Sequence, residues 1–376
     1  MRNMRQLRWL PPLPLAVGAL ASGVLLALAY PPASMGSIAF VALIPVIVAL
    51  YKKPYPPIVF CKTGYLFGVA FFLGHLWWIV GLVPSASITM PWLMAPALIL
   101  LTVYLSIYPA VTFWLLRLLG KRGGLAAVLV APALWALTEM FRSSSELGFP
   151  WGVIGYSIVG RPMLIQTAAF WGLFGLGMLI VFINMVWSQA FLVSSRKSAR
   201  LFGVLGAVLL LSTAVYGQLK ISKFESTAPV PETTVAIAQP NVDLRLKWDP
   251  AFTDSTFRLI ERFCREADTS GAEIVVFPET CAPVYIRYKP NYMNHLSLLA
   301  EELDLAIYIG FLDGRYEGPN DSLWVYNSSG LFDKNHVFGQ YDKTHLLPFG
   351  EAIPFAWKYP SWGKLDFGQA NFHPGP

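Results

Sequence analysis

Two stretches of this sequence set groups that can move protons, or hold developing negative charge, at the ends of apolar runs. In Val275-Val276-Phe277-Pro278-Glu279-Thr280 a carboxylate follows what reads as a buried strand, and strand carboxyl ends are where open α/β sheets bind ligands. Burial beside apolar residues would raise the pKa of Glu279 and suit it to general-base work. It could equally be a strand-end cap or one half of an ion pair. Some sixty residues on comes Tyr341-Asp342-Lys343-Thr344-His345-Leu346-Leu347-Pro348-Phe349-Gly350-Glu351. Lys343 again ends a strand and could stabilise an oxyanion, with Glu351 holding its orientation; a lysine in such a place is more often simply solvated.

The other chemistry-bearing types are sparse. Cys61, Cys264 and Cys281 form neither a metal pattern nor a disulfide framework. Cys61 falls in an apolar span and Cys264 in a predicted helix, where an inert thiol is expected. Cys281, two residues past Glu279, could point into the same crevice. His75, His295, His336, His345 and His373 lack metal spacing, and His345 is expected to orient the lysine loop. There is no phosphate loop and no dinucleotide fingerprint.

The elements that must position Glu279 and Lys343 follow from periodicity. Thr233 to Ala238 alternates as a strand, Pro250 to Ala267 has helical spacing, and Ala272 to Phe277 reads as a strand buried on both faces. Tyr292 to Leu303 is helical again, and Leu305 to Phe311, Ser322 to Asn327 and Val337 to Tyr341 read as strands. That order is α/β.

Everything before this region has another composition. The 376 residues are 55% hydrophobic and 13% charged, against about 25% charged in soluble domains, and the mean hydropathy is +0.51. Residues 1–218 carry 14 Lys and Arg but only two acids, Glu139 and Glu146; the remainder carries 14 basic residues and 20 acids. The basic pI therefore does not indicate nucleic-acid binding. It marks two regions in different solvents: a membrane domain over 1–218, a polar linker over 219–231 and a water-soluble domain over 232–376.

Apolar stretches at 12–30, 36–51, 58–82, 91–119, 125–141, 165–193 and 201–218 predict about seven transmembrane helices. The first is flanked by Arg2, Arg5 and Arg8 and followed at once by another, so it reads as a signal anchor. Basic loops (Lys52 and Lys53; Lys121 and Arg122; Arg196, Lys197 and Arg200) alternate with loops poor in positive charge. By the positive-inside rule the N-terminus is cytoplasmic and the region after Gln218 is outside. Trp77, Trp78, Trp92, Trp114, Trp151 and Trp171 cluster near span ends as an interfacial belt, and the Phe149-Pro150-Trp151-Gly152 loop either anchors at the interface or lines a lipid entry path.

The Pro278-Glu279 pair, the motif from Tyr341 to Pro354, Gln239-Pro240-Asn241 with Lys247-Trp248, and Phe149-Pro150-Trp151-Gly152 with Gly155-Tyr156 resemble, in matching order, the apolipoprotein N-acyltransferases of the nitrilase (carbon-nitrogen hydrolase) superfamily. The resemblance implies a multi-span α-helical membrane domain followed by a nitrilase-like αββα sandwich, incomplete at its C-terminus. It implies a Glu-Lys-Cys triad in which Glu279 is the general base and Lys343 stabilises the tetrahedral intermediate, with Trp248 and Glu351 in support. A cysteine takes an acyl chain from a phospholipid as a thioester and passes it to the diacylglyceryl-cysteine amine of a lipoprotein, with no cofactor, in a monomer of the bacterial inner membrane. That cysteine is expected on a strand after the lysine motif, which this chain does not reach, so the chain reads as a fragment without acyl transfer. Two other readings stay open: a membrane-tethered amidase of the same fold, and a truncated, non-catalytic membrane protein.

Overall fold

The structure is a computed structural model that describes residues 10–82, 92, 94–120, 124–227, 233–317, 322–333, 336–356, 358–359, 361–365 and 370–376. The chain divides into two compact units, one ending at Thr227 and the other following it.

The first unit is helical: α1 (Leu13–Leu28), α2 (Ile44–Tyr51), α3 (Pro57–Leu76), α4 (Met94–Leu119), α5 (Leu125–Ser143), α6 (Pro162–Ile165), α7 (Ala168–Leu192) and α8 (Arg196–Glu225). Among the described residues, five helical segments are long and apolar enough to cross a membrane: Pro57–Gly81, α4, α5, α7 and α8. The other two expected spans are shorter. α1 has 16 residues, about 24 Å at 1.5 Å per residue against a hydrocarbon core of about 30 Å. The 36–51 segment is a 3₁₀ turn at Gly36–Phe40 and a helix that restarts at Ile44, with Pro45 in its first turn. Conversely, α8 runs on to Glu225, through residues the composition assigns to a linker; polar residues such as Gln218, Lys220 and Lys223 are good helix formers even where they are not apolar.

Close crossings and buried polar groups hold this unit together. A Cβ on Gly68 would stand 2.7 Å from the Pro109 ring and 2.8 Å from Ser106 Cα, so α3 and α4 touch backbone to backbone, as small residues allow in membranes. Asn184 on α7, fully buried, donates to Ala39 O and Ile180 O and accepts from Leu43 N, joining α7 to the 36–43 segment. Arg142 on α5 donates to Phe149 O and Trp151 O, both at 2.7 Å, and Glu139 one turn earlier accepts from Ile154 N at 2.8 Å. The pair is buried and 3.7 Å apart.

The second unit is a mixed six-stranded sheet: β1 (Val235–Ile237), β2 (Ile274–Val276), β3 (Ala282–Tyr285), β4 (Ala306–Tyr316), β5 (Leu323–Asp333) and β6 (His336–Asp342). The order is β1-β2-β4-β5-β6, with β3 also paired to β4. β1, β2 and β4 are parallel, and β4, β5 and β6 form an antiparallel arm. The short α9 (Leu244–Lys247) precedes α10 (Thr253–Thr269) and α11 (Pro290–Glu302). Phe257, Ile260 and Cys264 of α10 and Leu296 and Leu299 of α11 share a core with Val275, Ile307, Ile309 and Phe311 of the sheet. Val235 and Ile237, by contrast, are 48% and 84% exposed. The described residues thus supply one sheet with its helical layer, out of the four layers of an αββα sandwich.

β5 extends six residues beyond the Asn327 at which its apolar pattern stops. Its polar continuation is satisfied by tertiary partners that a one-dimensional pattern does not contain: Ser328 Oγ donates to Asp342 across the ladder at 2.6 Å, and Gly330 lies under the Phe311 ring.

Candidate active site

Glu279 reaches its place because β2 ends abruptly. Phe277 N donates the last ladder bond, to Tyr308 O at 2.8 Å, and Pro278, without an N–H, cannot extend it. The chain then turns over β4, with Thr280 at a φ of +48°. The turn presses on Gly310 of β4, where a Cβ would stand 2.6 Å from Thr280 N and 2.9 Å from Glu279 Cα; only a glycine fits under it. Lys343 is the first residue past β6, and its N–H bonds Asn327 O at 2.9 Å. Glu351 sits in a tight loop in which its Oε2 accepts from Leu347 N at 2.7 Å. Two further backbone bonds tie the C-terminal residues to this region, Phe372 N to Glu351 O and Gly375 N to Lys343 O.

The three side chains meet. Lys343 Nζ lies 3.0 Å from Glu279 Oε1 and 3.0 Å from Glu351 Oε1. Asn327 Nδ2 donates to both carboxylates, to Glu351 Oε1 at 3.1 Å and to Glu279 Oε1. Glu279 remains open to solvent, while Glu351 is largely covered. Trp248, half-exposed, is linked to the cluster through its neighbour: Lys247 Nζ lies 5.4 Å from the Trp248 ring centroid, donates to Thr280 Oγ1 at 2.6 Å and bonds the Glu279 carbonyl at 3.3 Å.

The electrostatics correct one expectation. Burial does push the Glu279 pKa up, but hydrogen bonds from Lys343 and Asn327 and the lysine charges outweigh it and hold the carboxyl below its ordinary value. For Lys343 burial lowers the pKa, and the bonds to Glu351 and Glu279 more than reverse this. The resting pair is therefore an ammonium and a carboxylate at neutral pH. Cys281 is buried in the core of this unit, where burial pushes its thiol up to about 11 against the opposing Lys247 charge. Cys264 is fully buried, its thiol pushed up to about 12, again first by burial, and Cys61 lies on α3. His345 Nδ1 pairs with Thr344 Oγ1 at 2.9 Å within the lysine loop. Among the described residues no group of three or more His, Cys, Asp or Glu side chains is placed to hold a metal ion.

Comparison with known proteins identifies the family. Residues 22–186 match the Apolipoprotein N-acyltransferase N-terminal domain and residues 234–366 match the Carbon-nitrogen hydrolase domain. The apolipoprotein N-acyltransferase of Geobacter metallireducens is 34% identical over 364 residues, covering 95% of this chain and 68% of that protein. The chain belongs to the apolipoprotein N-acyltransferase family. The relative of the same name from Allorhizobium ampelinum is 29% identical over 296 residues, 78% of this chain and 55% of its own length; that of Neisseria meningitidis serogroup B is 29% identical over 319 residues, 84% and 61%. The chain thus spans between about half and two thirds of the length of these family members.

Asn327, Thr280 and Gly310 escape a sequence reading of this candidate site. Asn327 lies at the end of an apparent strand with nothing local to mark it, and Gly310 lies inside one. Gly310 carries a weak signal in retrospect, since an isolated glycine within an apolar strand often marks a close backbone approach.

Proposed function

We propose that this chain serves the N-acylation of the amino-terminal diacylglyceryl-cysteine of lipoproteins with a phospholipid as acyl donor. The supporting observation is the Glu279–Lys343–Glu351 cluster, a carboxylate and an ammonium 3.0 Å apart on one sheet rim, in a chain of this family. Glu279 takes the proton of a cysteine thiol as that thiol attacks the ester carbonyl, and Lys343 donates to the oxyanion. The intermediate collapses to a thioester, and the lysophospholipid oxygen leaves with the proton from Glu279. The lipoprotein amine then attacks the thioester, Glu279 again accepting a proton, and the thiol is restored.

The depressed pKa of Glu279 suits this sequence. At rest Lys343 keeps it ionised and ready to accept. As the ammonium turns towards the oxyanion it loosens its hold on the carboxylate, which becomes more basic as the proton arrives. Glu351 and Asn327 keep Lys343 anchored throughout. The thiol is assigned to none of Cys61, which belongs to the helical unit, and Cys264 and Cys281, which are buried in a core; the family resemblance implies a strand after the lysine motif. The protein is proposed to work as a monomer without cofactor.

The membrane reading belongs to the same proposal: a bacterial inner-membrane protein with its N-terminus cytoplasmic and its nitrilase-like unit outside. The alternation of basic and poorly charged loops supports it. The two short segments, α1 and 36–51, are consecutive, so whether both cross or neither does, the number of crossings stays odd.

The test replaces Glu279→Gln and Lys343→Met separately in the full-length protein. Transfer of a labelled acyl chain from phospholipid vesicles to a diacylated lipopeptide should fall by about 10²–10⁴-fold in each. Undiminished transfer in both refutes the assignment.

A further inference from the structure

Thr280 is a β-branched residue in the left-handed region and nearly buried. Such a conformation is strained and persists only where its surroundings over-determine it. Gly310 supplies the room beneath the turn, and Lys247 supplies a bond from the side. Its ammonium donates to Thr280 Oγ1 at 2.6 Å and bonds the Glu279 carbonyl at 3.3 Å, so it grips the two residues that determine where the base points. The ammonium is partly desolvated, and burial lowers its pKa; a cation held there against solvation is more than a solvated surface lysine. The next residue is Trp248, so the same ammonium ties the half-exposed indole to the Glu279 turn.

We propose that Lys247 is a positioning residue for Glu279. It locks the Thr280 turn that aims the carboxylate, adds a second positive charge behind it, and couples the Trp248 segment to it. This rests on the reading of Glu279 as the base. A purely structural lysine would stabilise the turn without affecting how the site titrates. The Lys247 charge helps keep Glu279 ionised, as does the larger influence of Lys343, so its removal should let the Glu279 pKa rise.

The experiment uses the full-length protein with phospholipid vesicles and a diacylated lipopeptide, comparing Lys247→Met, Lys247→Arg and Glu279→Gln. Lys247→Met should lower kcat by about 10–100-fold, the scale of a small misplacement of a reacting group, with KM for the lipopeptide unchanged. The acid limb of its pH profile should move to higher pH, since a less stabilised carboxylate protonates earlier on acidification. Lys247→Arg should restore the limb. An unmoved limb in Lys247→Met, or an arginine variant no better than methionine, overturns the proposal. Full transfer by Glu279→Gln instead overturns the assignment of the base itself, a distinct result. Should Lys247→Met fail to accumulate, Thr280→Val removes the hydroxyl acceptor at constant shape and should lower kcat likewise; wild-type kcat there refutes the role.

Discussion

Glu279 points at Lys343 because a backbone turn lies flat on Gly310. The atoms that an alanine Cβ would meet are backbone, Thr280 N at 2.6 Å and Glu279 Cα at 2.9 Å, and no side-chain rotamer can relieve them. Gly310→Ala should therefore displace the base by a fraction of an ångström to about 1 Å, lowering kcat by about 10²-fold and stability by about 1–3 kcal/mol. Parallel kinetics and thermal unfolding check this, and wild-type kcat would show that the turn has slack. Glu279 was legible as a candidate because it follows an apolar run, and Lys343 because it ends a strand pattern. The sign of the Glu279 pKa shift was not, because it depends on Asn327 and Lys343, 48 and 64 positions away, outweighing burial.

Among the elements, α5 shows how a membrane helix fixes a loop. Arg142 satisfies two carbonyls of the 149–151 segment, and Glu139 satisfies an N–H of the next turn. Removing one partner of a buried, hydrogen-bonded charge pair costs about 3–5 kcal/mol because the other is left uncompensated, and intramembrane charges are rare for that reason. Arg142→Met should thus reduce accumulation of the protein in membranes and make the 144–158 loop susceptible to limited proteolysis, while Arg161→Met, exposed on the surface, should do neither. Equal protection of the loop in both variants would show that the clamp is dispensable. Period and composition located α5 and its neighbours. They overstated α1 and 36–51, whose apolar content matches that of a span although prolines shorten the helices.

At the scale of the whole molecule, two regions of opposite charge balance correspond to two compact units. With the proposed cytoplasmic N-terminus, an odd number of crossings would put a reporter fused after Glu225, the end of α8, outside the cytoplasm. A fusion there should show alkaline phosphatase activity and no green fluorescent protein fluorescence, and one after Lys53 the reverse. Cytoplasmic reporter activity after Glu225 would overturn the orientation.

The amino-acid order by itself determined the class of each region, since hydropathy, loop charge and strand period are properties of neighbouring residues. It also marked Glu279 and Lys343 as candidates, through motifs short enough to be local. Only the tertiary structure decided that the two meet at 3.0 Å, that Asn327 and Glu351 brace them, that Cys281 faces a core, and that Lys247 grips the turn that carries Glu279. Each of these depends on strand pairing and on which face of the sheet a side chain takes. Long-range register sets both, and no window of sequence contains it.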